Sequence, residues 1–384
     1  DAPNNRLVRV DMSSPSSPWK EVIPQRQEVL SVTRGGGFFF ASYLKHALSY
    51  VEQVDYSGNM VRCLELPGQG TVNVAAGLKD DKAIYYTFTS YIHPMEIRAM
   101  DVSTGDSFLF KSSNADFDSS LYVSEQVFYS SADGTKIPMM VTRRRDLTPS
   151  GDNPCMLYGY GGFNVNVTPA FKVSATVWME QGGVYAVPNI RGGGEYGETW
   201  HICRRKLKKQ NVFDDFAAAA EYLISSKWTN PSKLAVSGAS NGGLLVGAMI
   251  TQRPELFGVA LPSVGVMDML RYHRFTAGAG WAYDYGTADD SDEMFRYLLS
   301  YSPLHNVNPG TSYPATLVTT GDHDDRVVPA HSFKFTAALQ EMQSGSTPVL
   351  IRIDVKAGHG AGKPVGMFID CEADRLAFAL HHFR

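Results

Sequence analysis

Cysteine is scarce in this sequence, and its spacing excludes several classes of protein. The 384 residues include four cysteines, and no two of them form the C-x-x-C pair that is typical of zinc sites and redox centres. The four are Cys63, Cys155, Cys203 and Cys371. Their wide spacing does not suggest a disulfide framework, and the lack of such a framework favours a reducing, cytoplasmic compartment. We therefore expect no metal site.

The sequence also lacks a strong charge of one sign and a long apolar run. Its formal net charge is −4, so it has no basic footprint for nucleic acid. No apolar run is long enough to cross a membrane, and we expect neither a nucleic-acid nor a membrane partner. The one basic cluster, residues 204–209, is interpreted as a solvated loop or helix face.

The pattern of the sequence changes near residue 140. Residues 1–140 contain short strand-like runs separated by turn signals such as Ser57-Gly58 and Asp133-Gly134. Four-stranded units repeated at about 40–50 residues are typical of β-propeller blades. Residues 141–384 instead alternate strands with helices, as α/β proteins with a parallel sheet do. We predict an incomplete all-β propeller segment at 1–140 and an α/β domain at 141–384.

The most informative motif is the G-x-S-x-G sequence at residues 238–242. It follows a predicted buried strand and precedes an apolar helical run, residues 244–250. A serine hydroxyl is a poor nucleophile unless a tight turn presents its oxygen to a base, and flanking glycines allow strand and helix to approach closely there. This arrangement is a nucleophile elbow, and it makes Ser240 the candidate nucleophile.

Two later segments provide an acid and a base in the chain order of an α/β-hydrolase. Each has a β-branched strand, a polar loop and a predicted helix, the helices spanning 330–342 and 367–383. The second loop contains His359. The first contains three aspartates that could orient an imidazole: Asp322, Asp324 and Asp325. Loops that follow parallel strands meet at one sheet edge, where we expect Ser240, one aspartate and His359 to lie together.

These motifs resemble those of the prolyl oligopeptidase family. The resemblance is carried by three catalytic motifs, Gly238-Ala-Ser-Asn-Gly-Gly243, residues 322–329 and residues 356–363, and by residues 157–163, 190–201 and 265–270. It extends over essentially the whole chain. It implies Ser240 as nucleophile, Asp324 as the acid and His359 as the general base.

The resemblance also implies an oxyanion hole and a substrate pocket. The oxyanion donors would be the Tyr160 hydroxyl and the Asn241 backbone amide. Arg326 would bind a substrate carbonyl upstream of the proline. The proline pocket would consist of Phe163, Val266, Trp281, Tyr285 and Val327. The chemistry would proceed through an acyl-enzyme on Ser240 and require no cofactor.

In this family a seven-bladed propeller covers an α/β-hydrolase domain, and the chains are much longer. The sequence therefore resembles the C-terminal portion of such an enzyme. We expect the N-terminal part to be a separate, associated fragment, or the sequence to be partial. Exposed strand edges of an incomplete propeller would favour such a partner.

The expected function is that of a serine endopeptidase that cleaves short peptides after proline. A first alternative is a transpeptidase of the same family, which joins the acyl-enzyme to the peptide's own amine and releases a macrocycle. A second is a fragment that is active only with its missing N-terminal half. A lipase or esterase on the same fold is disfavoured, because Arg326 and Trp281 suit a peptide ending in proline better than an acyl lipid.

Overall fold

A computed structural model describes residues 2–202, 204–360 and 362–383. Cys203, and Ala361 within the motif at 356–363, lie outside the described residues. The chain forms two compact units. The first comprises residues 1–120, 166–176 and 194–200, and the second comprises residues 121–165, 177–193 and 201–384.

The first unit contains two four-stranded antiparallel sheets, each with the strand order of a propeller blade, and a two-stranded sheet. The first blade has β3 (Val29–Gly35), β4 (Phe38–Lys45), β5 (Leu48–Val54) and β6 (Met60–Cys63). The second has β7 (Thr71–Val74), β8 (Ala83–Thr89), β9 (Glu96–Asp101) and β10 (Ser107–Ser112). The short sheet pairs β1 (Leu7–Arg9) with β2 (Lys20–Ile23).

Alternating side chains of these strands build the core of the first unit, as the period of a half-buried strand requires. One apolar cluster joins both blades and includes Phe40, Val51 and Tyr86. The hairpin between β3 and β4 turns through Gly36 and Gly37, whose φ values of 56° and 81° few other residues adopt without strain.

The second unit contains an eight-stranded sheet in the order β11-β12-β14-β13-β15-β16-β17-β18. Its first strands, β11 (Tyr122–Ser130) and β12 (Lys136–Arg144), are antiparallel. The remaining strands are mutually parallel: β13 (Cys155–Tyr158), β14 (Val184–Pro188), β15 (Leu234–Ala239), β16 (Val259–Ser263), β17 (Ala315–Gly321) and β18 (Val349–Asp354). Residues 122–130 and 136–140, which the sequence pattern assigned to the propeller segment, therefore pair in this sheet.

The helices lie between or after the parallel strands along the chain. Their bounds are α1 (Val173–Glu180), α2 (Glu198–Ile202), α3 (Gln210–Ser225), α4 (Asn241–Gln252), α5 (Ala282–Tyr285), α6 (Asp292–Tyr301), α7 (Ala330–Met342) and α8 (Val365–His382). Helix α7 matches the predicted 330–342. Helix α3 buries Val212, Phe213 and Phe216 at the spacing of one helical face. The predicted fold class, an α/β-hydrolase domain preceded by all-β propeller sheets, is confirmed.

The order of the parallel strands creates the crevice in which the site lies. The chain leaves β13 to form β14 on one side and later forms β15 on the other side of β13. Ligands of open α/β sheets bind where such a reversal separates the loops at the carboxyl ends of two adjacent strands. The loops after β13 and β15 carry Tyr160 and Ser240.

The cysteines within the described ranges, Cys63, Cys155 and Cys371, are free thiols. Across those ranges we find no helix with both the length and the apolar character needed to span a membrane.

Candidate active site

Ser240 occupies a sharp turn between β15 and α4. Its φ of 59° and ψ of −118° lie outside the regions that residues with a side chain normally adopt, so the turn stores strain. The Ser240 amide donates to the Ser263 carbonyl at 2.9 Å, and its own carbonyl accepts from the Leu244 amide at 3.1 Å. These bonds hold the residue at the start of the helix in the geometry of a nucleophile elbow.

Glycine is required on both sides of this elbow. A Cβ at Gly238 would lie 2.3 Å from the Gly242 carbonyl oxygen, and one at Gly242 would lie 2.5 Å from the Gly159 carbonyl oxygen. Both separations are shorter than any real contact, so a side chain at either position would force the backbones apart. The G-x-S-x-G spacing thus brings the Ser240 turn against the loop that follows β13.

Asp324 and His359 form a close pair. Asp324 Oδ2 lies 2.6 Å from His359 Nδ1, and the aspartate is 2 % exposed. Its Oδ1 accepts from the backbone amides of Arg326 and Val327, at 3.0 Å and 2.9 Å. The carboxylate is therefore fixed in position, and the pairing through Nδ1 leaves Nε2 of the ring available to exchange a proton.

The other two candidate aspartates have different surroundings. Asp322 Oδ1 lies 2.6 Å from His323 Nδ1 and accepts from the Ala357 amide at 3.3 Å. The hydrogen bond to His323 lowers the pKa of Asp322. Asp325 is exposed. Of the three aspartates that the sequence left open, Asp324 is the one that the structure brings to the His359 ring.

The Ser240 hydroxyl and the His359 ring belong to different loops. Within the described ranges, no hydrogen bond connects the Ser240 hydroxyl with the His359 ring, although each lies in the loop that the sequence predicted. Catalytic hydrogen bonds are often long or unformed before substrate binds and tighten in the complex. The structure thus contains the Asp324–His359 contact and the Ser240 turn, without a hydrogen bond between them.

Two hydrogen-bond donors lie beside Ser240. Asn241 is the first residue of α4, where backbone amides have no partner within the helix. Tyr160 follows β13 and is partly buried, and this burial raises the pKa of its hydroxyl, which keeps it protonated as a donor. The Asn241 Nδ2 donates to the Tyr160 carbonyl at 2.5 Å, so a side chain links the two segments.

A cavity of about 180 Å³ opens next to these groups. It is lined by Tyr160, Phe163, Ser240, Val266, Trp281, Tyr285 and Arg326. Five of the six residues predicted for substrate binding thus lie around one cavity together with Ser240. The sixth, Val327, is 1 % exposed and is not part of the lining.

Aromatic contacts connect the residues that form the walls of this cavity. Phe163 meets Tyr285 edge to face, with ring centroids 5.3 Å apart. Trp281 stacks on Tyr272 at 6.0 Å and an interplanar angle of 13°. Phe163 has a φ of 58°, and its amide donates to Asp284 Oδ2 at 2.9 Å, which holds this unusual conformation. The cavity offers apolar ring faces of the kind that a flat, apolar ring packs against.

Sequence reasoning missed three buried polar side chains behind this wall: His201, Lys209 and Asp284. His201 Nε2 lies 2.9 Å from the same Asp284 oxygen that accepts from Phe163. The interpretation of residues 204–209 as a solvated cluster is wrong for Lys209, which is 1 % exposed. A signal was present, because Lys209, the N-cap residue of α3, lies three and four residues before Val212 and Phe213, which are on the buried face of that helix.

Proteins with similar sequences and similar folds identify the family of this chain. The model of the prolyl oligopeptidase family matches residues 169–384, and that of the prolyl oligopeptidase N-terminal β-propeller domain matches residues 1–113. The prolyl endopeptidase of Elizabethkingia meningoseptica is 55 % identical over 99 % of this chain and 54 % of its own length. A solved prolyl endopeptidase structure superimposes with a TM-score of 0.95 at 46 % identity, covering all of this chain and 57 % of the other.

A third similar protein is prolyl oligopeptidase B from Galerina marginata, solved with a 35-residue hydrolysis and macrocyclization substrate. It has a TM-score of 0.94 and 35 % identity over all of this chain and 55 % of its own. The chain spans about half the length of the curated relatives it matches. With two family models matching, and with such identity along almost its whole length, the chain belongs to the prolyl oligopeptidase family.

Proposed function

We propose that this chain contains the catalytic centre of a serine endopeptidase that cleaves short peptides on the C-terminal side of proline. The observation that carries the proposal is the single cavity that aromatic side chains and Ser240 line together. A nucleophile on an elbow, at the mouth of a pocket for a flat ring, fits attack on the carbonyl of a bound prolyl residue.

Ser240, His359 and Asp324 supply the acid–base chemistry. His359 Nε2 takes the proton of Ser240 as the hydroxyl oxygen attacks the peptide carbonyl, and then gives it to the leaving amine. Asp324 holds the opposite ring nitrogen and stabilises the imidazolium that forms. Water, activated by the same histidine, then hydrolyses the acyl-enzyme. Asp324 accepts hydrogen bonds from two backbone amides, which supports this role because those bonds hold the carboxylate in one orientation.

The Tyr160 hydroxyl and the Asn241 amide are proposed to stabilise the oxyanion. Each tetrahedral intermediate places negative charge on the former carbonyl oxygen, next to the attacking serine. Asn241 adjoins Ser240 in the chain, and Tyr160 lines the same cavity as Ser240. Donors held in place before the reaction stabilise this charge without reorganisation.

Specificity for proline is proposed to come from Phe163, Trp281 and Tyr285. The pyrrolidine ring of proline is apolar and flat, and it packs favourably against aromatic faces. Arg326 is exposed and lines the cavity, so its guanidinium is available to bind a substrate carbonyl upstream of the proline. Val266 completes the apolar wall, and the buried Val327 follows Arg326 in the chain.

Macrocyclisation is the second candidate function, since the Galerina marginata relative was solved with a hydrolysis and macrocyclization substrate. Both reactions form the same acyl-enzyme, which is attacked by water in one case and by the amine of the peptide in the other. Hydrolysis is preferred, because the relative of 55 % identity is a prolyl endopeptidase.

The location is also a proposal. A cytoplasmic location is supported by free thiols at Cys63, Cys155 and Cys371.

The test is cleavage of a fluorogenic Gly-Pro amide by the chain, with Ser240→Ala as the matched inactive variant. Release of the fluorophore by the wild type alone supports a post-proline serine peptidase. Mass analysis of the products from a longer proline peptide then distinguishes linear fragments from a macrocycle, which lacks one water. A folded wild type with no more activity than Ser240→Ala would refute activity of the chain by itself.

A further inference from the structure

Lys209 is a buried lysine that the proposed chemistry does not use. It is 1 % exposed, and its Nζ donates to the Gly161 carbonyl at 2.7 Å and to Asn241 Oδ1 at 3.2 Å. The same nitrogen lies 5.5 Å from the centroid of the Tyr285 ring. Burial of an ammonium group is costly unless its hydrogen bonds are made, so these acceptors hold Lys209 in one position.

Both acceptors adjoin the proposed oxyanion donors. Gly161 follows Tyr160 in the chain, and Asn241 follows Ser240. Lys209 therefore joins the loop after β13 to the start of α4, the two segments that must present their donors to the same oxygen.

The Asn241 side chain extends the same network. Its Oδ1 also accepts from the Tyr285 hydroxyl at 2.7 Å, and its Nδ2 donates to the Tyr160 carbonyl at 2.5 Å. A Cβ at Gly162 would lie 2.8 Å from that Nδ2, so the amide packs directly on the turn. With Lys209 present, three polar contacts fix the plane of the Asn241 side-chain amide. Without Lys209, the Gly161 carbonyl and Asn241 Oδ1 would lose their charged donor.

We propose that Lys209 is a positioning residue of the oxyanion hole. Its ammonium group holds the Gly161 carbonyl and the Asn241 side chain, so that the Tyr160 hydroxyl and the Asn241 backbone amide converge beside Ser240. This inference rests on the proposed function, since an oxyanion hole has a purpose only in acyl transfer. Small errors in donor position reduce stabilisation of the transition state strongly, because that stabilisation depends on donors held in advance.

The charge of Lys209 gives the proposal a pH signature. Burial lowers the pKa of Lys209 to about 8, opposed by the nearby Asp284 carboxylate. The other titratable groups packed against it are Tyr285 on α5 and Tyr297 on α6, whose hydroxyl accepts from the Gln210 amide at 2.8 Å, and burial raises the pKa of both hydroxyls. His201 Nε2 pairs with the Asp284 carboxylate. Loss of a proton from Lys209 near pH 8 would therefore weaken the network while both tyrosines stay protonated.

The experiment compares Lys209→Met with Lys208→Met, the exposed neighbour, on the fluorogenic Gly-Pro amide. Methionine is of similar length but has no donor and no charge. We expect kcat of Lys209→Met to fall about 10- to 100-fold, while KM stays within about threefold of the wild-type value. This fall in kcat is smaller than the one expected when a complete oxyanion donor is removed. We also expect the decline of wild-type kcat near pH 8 to be absent in this variant. Lys208→Met should match the wild type.

An unchanged kcat, or the same alkaline decline in Lys209→Met, would overturn the positioning role. Where Lys209→Met does not fold, Lys209→Gln, which keeps an amide donor without a charge, replaces it with the same two criteria. If the wild type shows no activity that depends on Ser240, the proposed function fails separately. Crystal structures of Lys209→Met and Lys208→Met then decide. If the Tyr160 hydroxyl and the Asn241 backbone amide move in Lys209→Met but not in Lys208→Met, the inference is supported. If their positions are unchanged in Lys209→Met, it is refuted.

Discussion

Asp324 contacts His359 through one carboxylate oxygen and the backbone of its own loop through the other. Replacement by asparagine keeps the shape of the side chain but puts an amide where the histidine needs an acceptor, which favours the wrong tautomer of the ring. We expect Asp324→Asn to lower kcat by about 10³- to 10⁴-fold without unfolding the protein.

The matched control for this prediction is Asp325→Asn, since Asp325 is exposed and adjoins Asp324 in the chain. It should keep nearly full activity in the same assay with the Gly-Pro amide. Equal losses in the two variants would show that the charge of the loop, and not the contact with His359, supports catalysis.

Tyr160 should affect the rate and not substrate binding. Tyr160→Phe removes the hydroxyl and leaves the ring in the cavity wall. Loss of one oxyanion donor costs about 2.7–4 kcal/mol in the transition state, so we expect kcat to fall by about 10²- to 10³-fold with little change in KM. Steady-state kinetics measures both. A higher KM at normal kcat would assign the hydroxyl to substrate binding instead.

Trp281 should contribute mainly to selectivity for proline. Trp281→Ala removes a ring face from the cavity and leaves Tyr272 without its stacking partner. We expect kcat/KM for a Gly-Pro amide to fall at least about tenfold, and the preference over a Gly-Ala amide to shrink. Tyr283→Ala, at an exposed ring two residues away, is the control. A proportional loss on both substrates would argue against a proline-specific contact.

The free energy of unfolding should depend on a buried ion pair. Arg191 Nη2 lies 2.5 Å from Asp215 Oδ1, and both residues are at most 1 % exposed. Arg191→Met leaves the aspartate buried without its partner, and we expect a loss of about 3–5 kcal/mol in urea unfolding. Arg253→Met breaks a more exposed pair with Glu255 and should cost less than about 1 kcal/mol. Similar losses would contradict the importance of burial.

The pH dependence of stability should report the burial of Lys209. Its pKa is about 8 in the folded chain, below the ordinary value of 10.5 that the unfolded chain would have. Between these values the unfolded state binds more protons, so stability rises with pH. Relative to Lys209→Met, the wild type should gain about 3 kcal/mol at most between pH 7.5 and pH 10.5. Urea unfolding at both pH values measures this gain, and a constant difference would contradict a lowered pKa.

The elements that the sequence predicted best are those in which the local pattern and the global fold agree. Ser240 and His359 each follow an apolar strand and precede a helix, so the parallel sheet determines where their loops meet. Asp324 could not be separated from Asp322 and Asp325 by residue type. The choice depends on which carboxylate points to the ring, which is a property of the folded loop.

Two other features could not be predicted from the sequence for different reasons. Strands β11 and β12 form an antiparallel hairpin, and such a hairpin has the same alternation in a propeller blade as at the edge of an α/β sheet. Lys209 ends a run of charged residues, and local composition therefore suggested exposure. Its burial depends on acceptors at Gly161 and Asn241, which are distant in the chain.

The backbone of Ser240 has a consequence for the choice of an inactive form. Its φ of 59° is costly for serine or alanine and permissible for glycine. Ser240→Ala therefore removes the nucleophile but keeps the strain, whereas Ser240→Gly removes both. The glycine form should unfold at a higher temperature than the alanine form, and it is the better starting point for trapping an uncleaved peptide in the cavity.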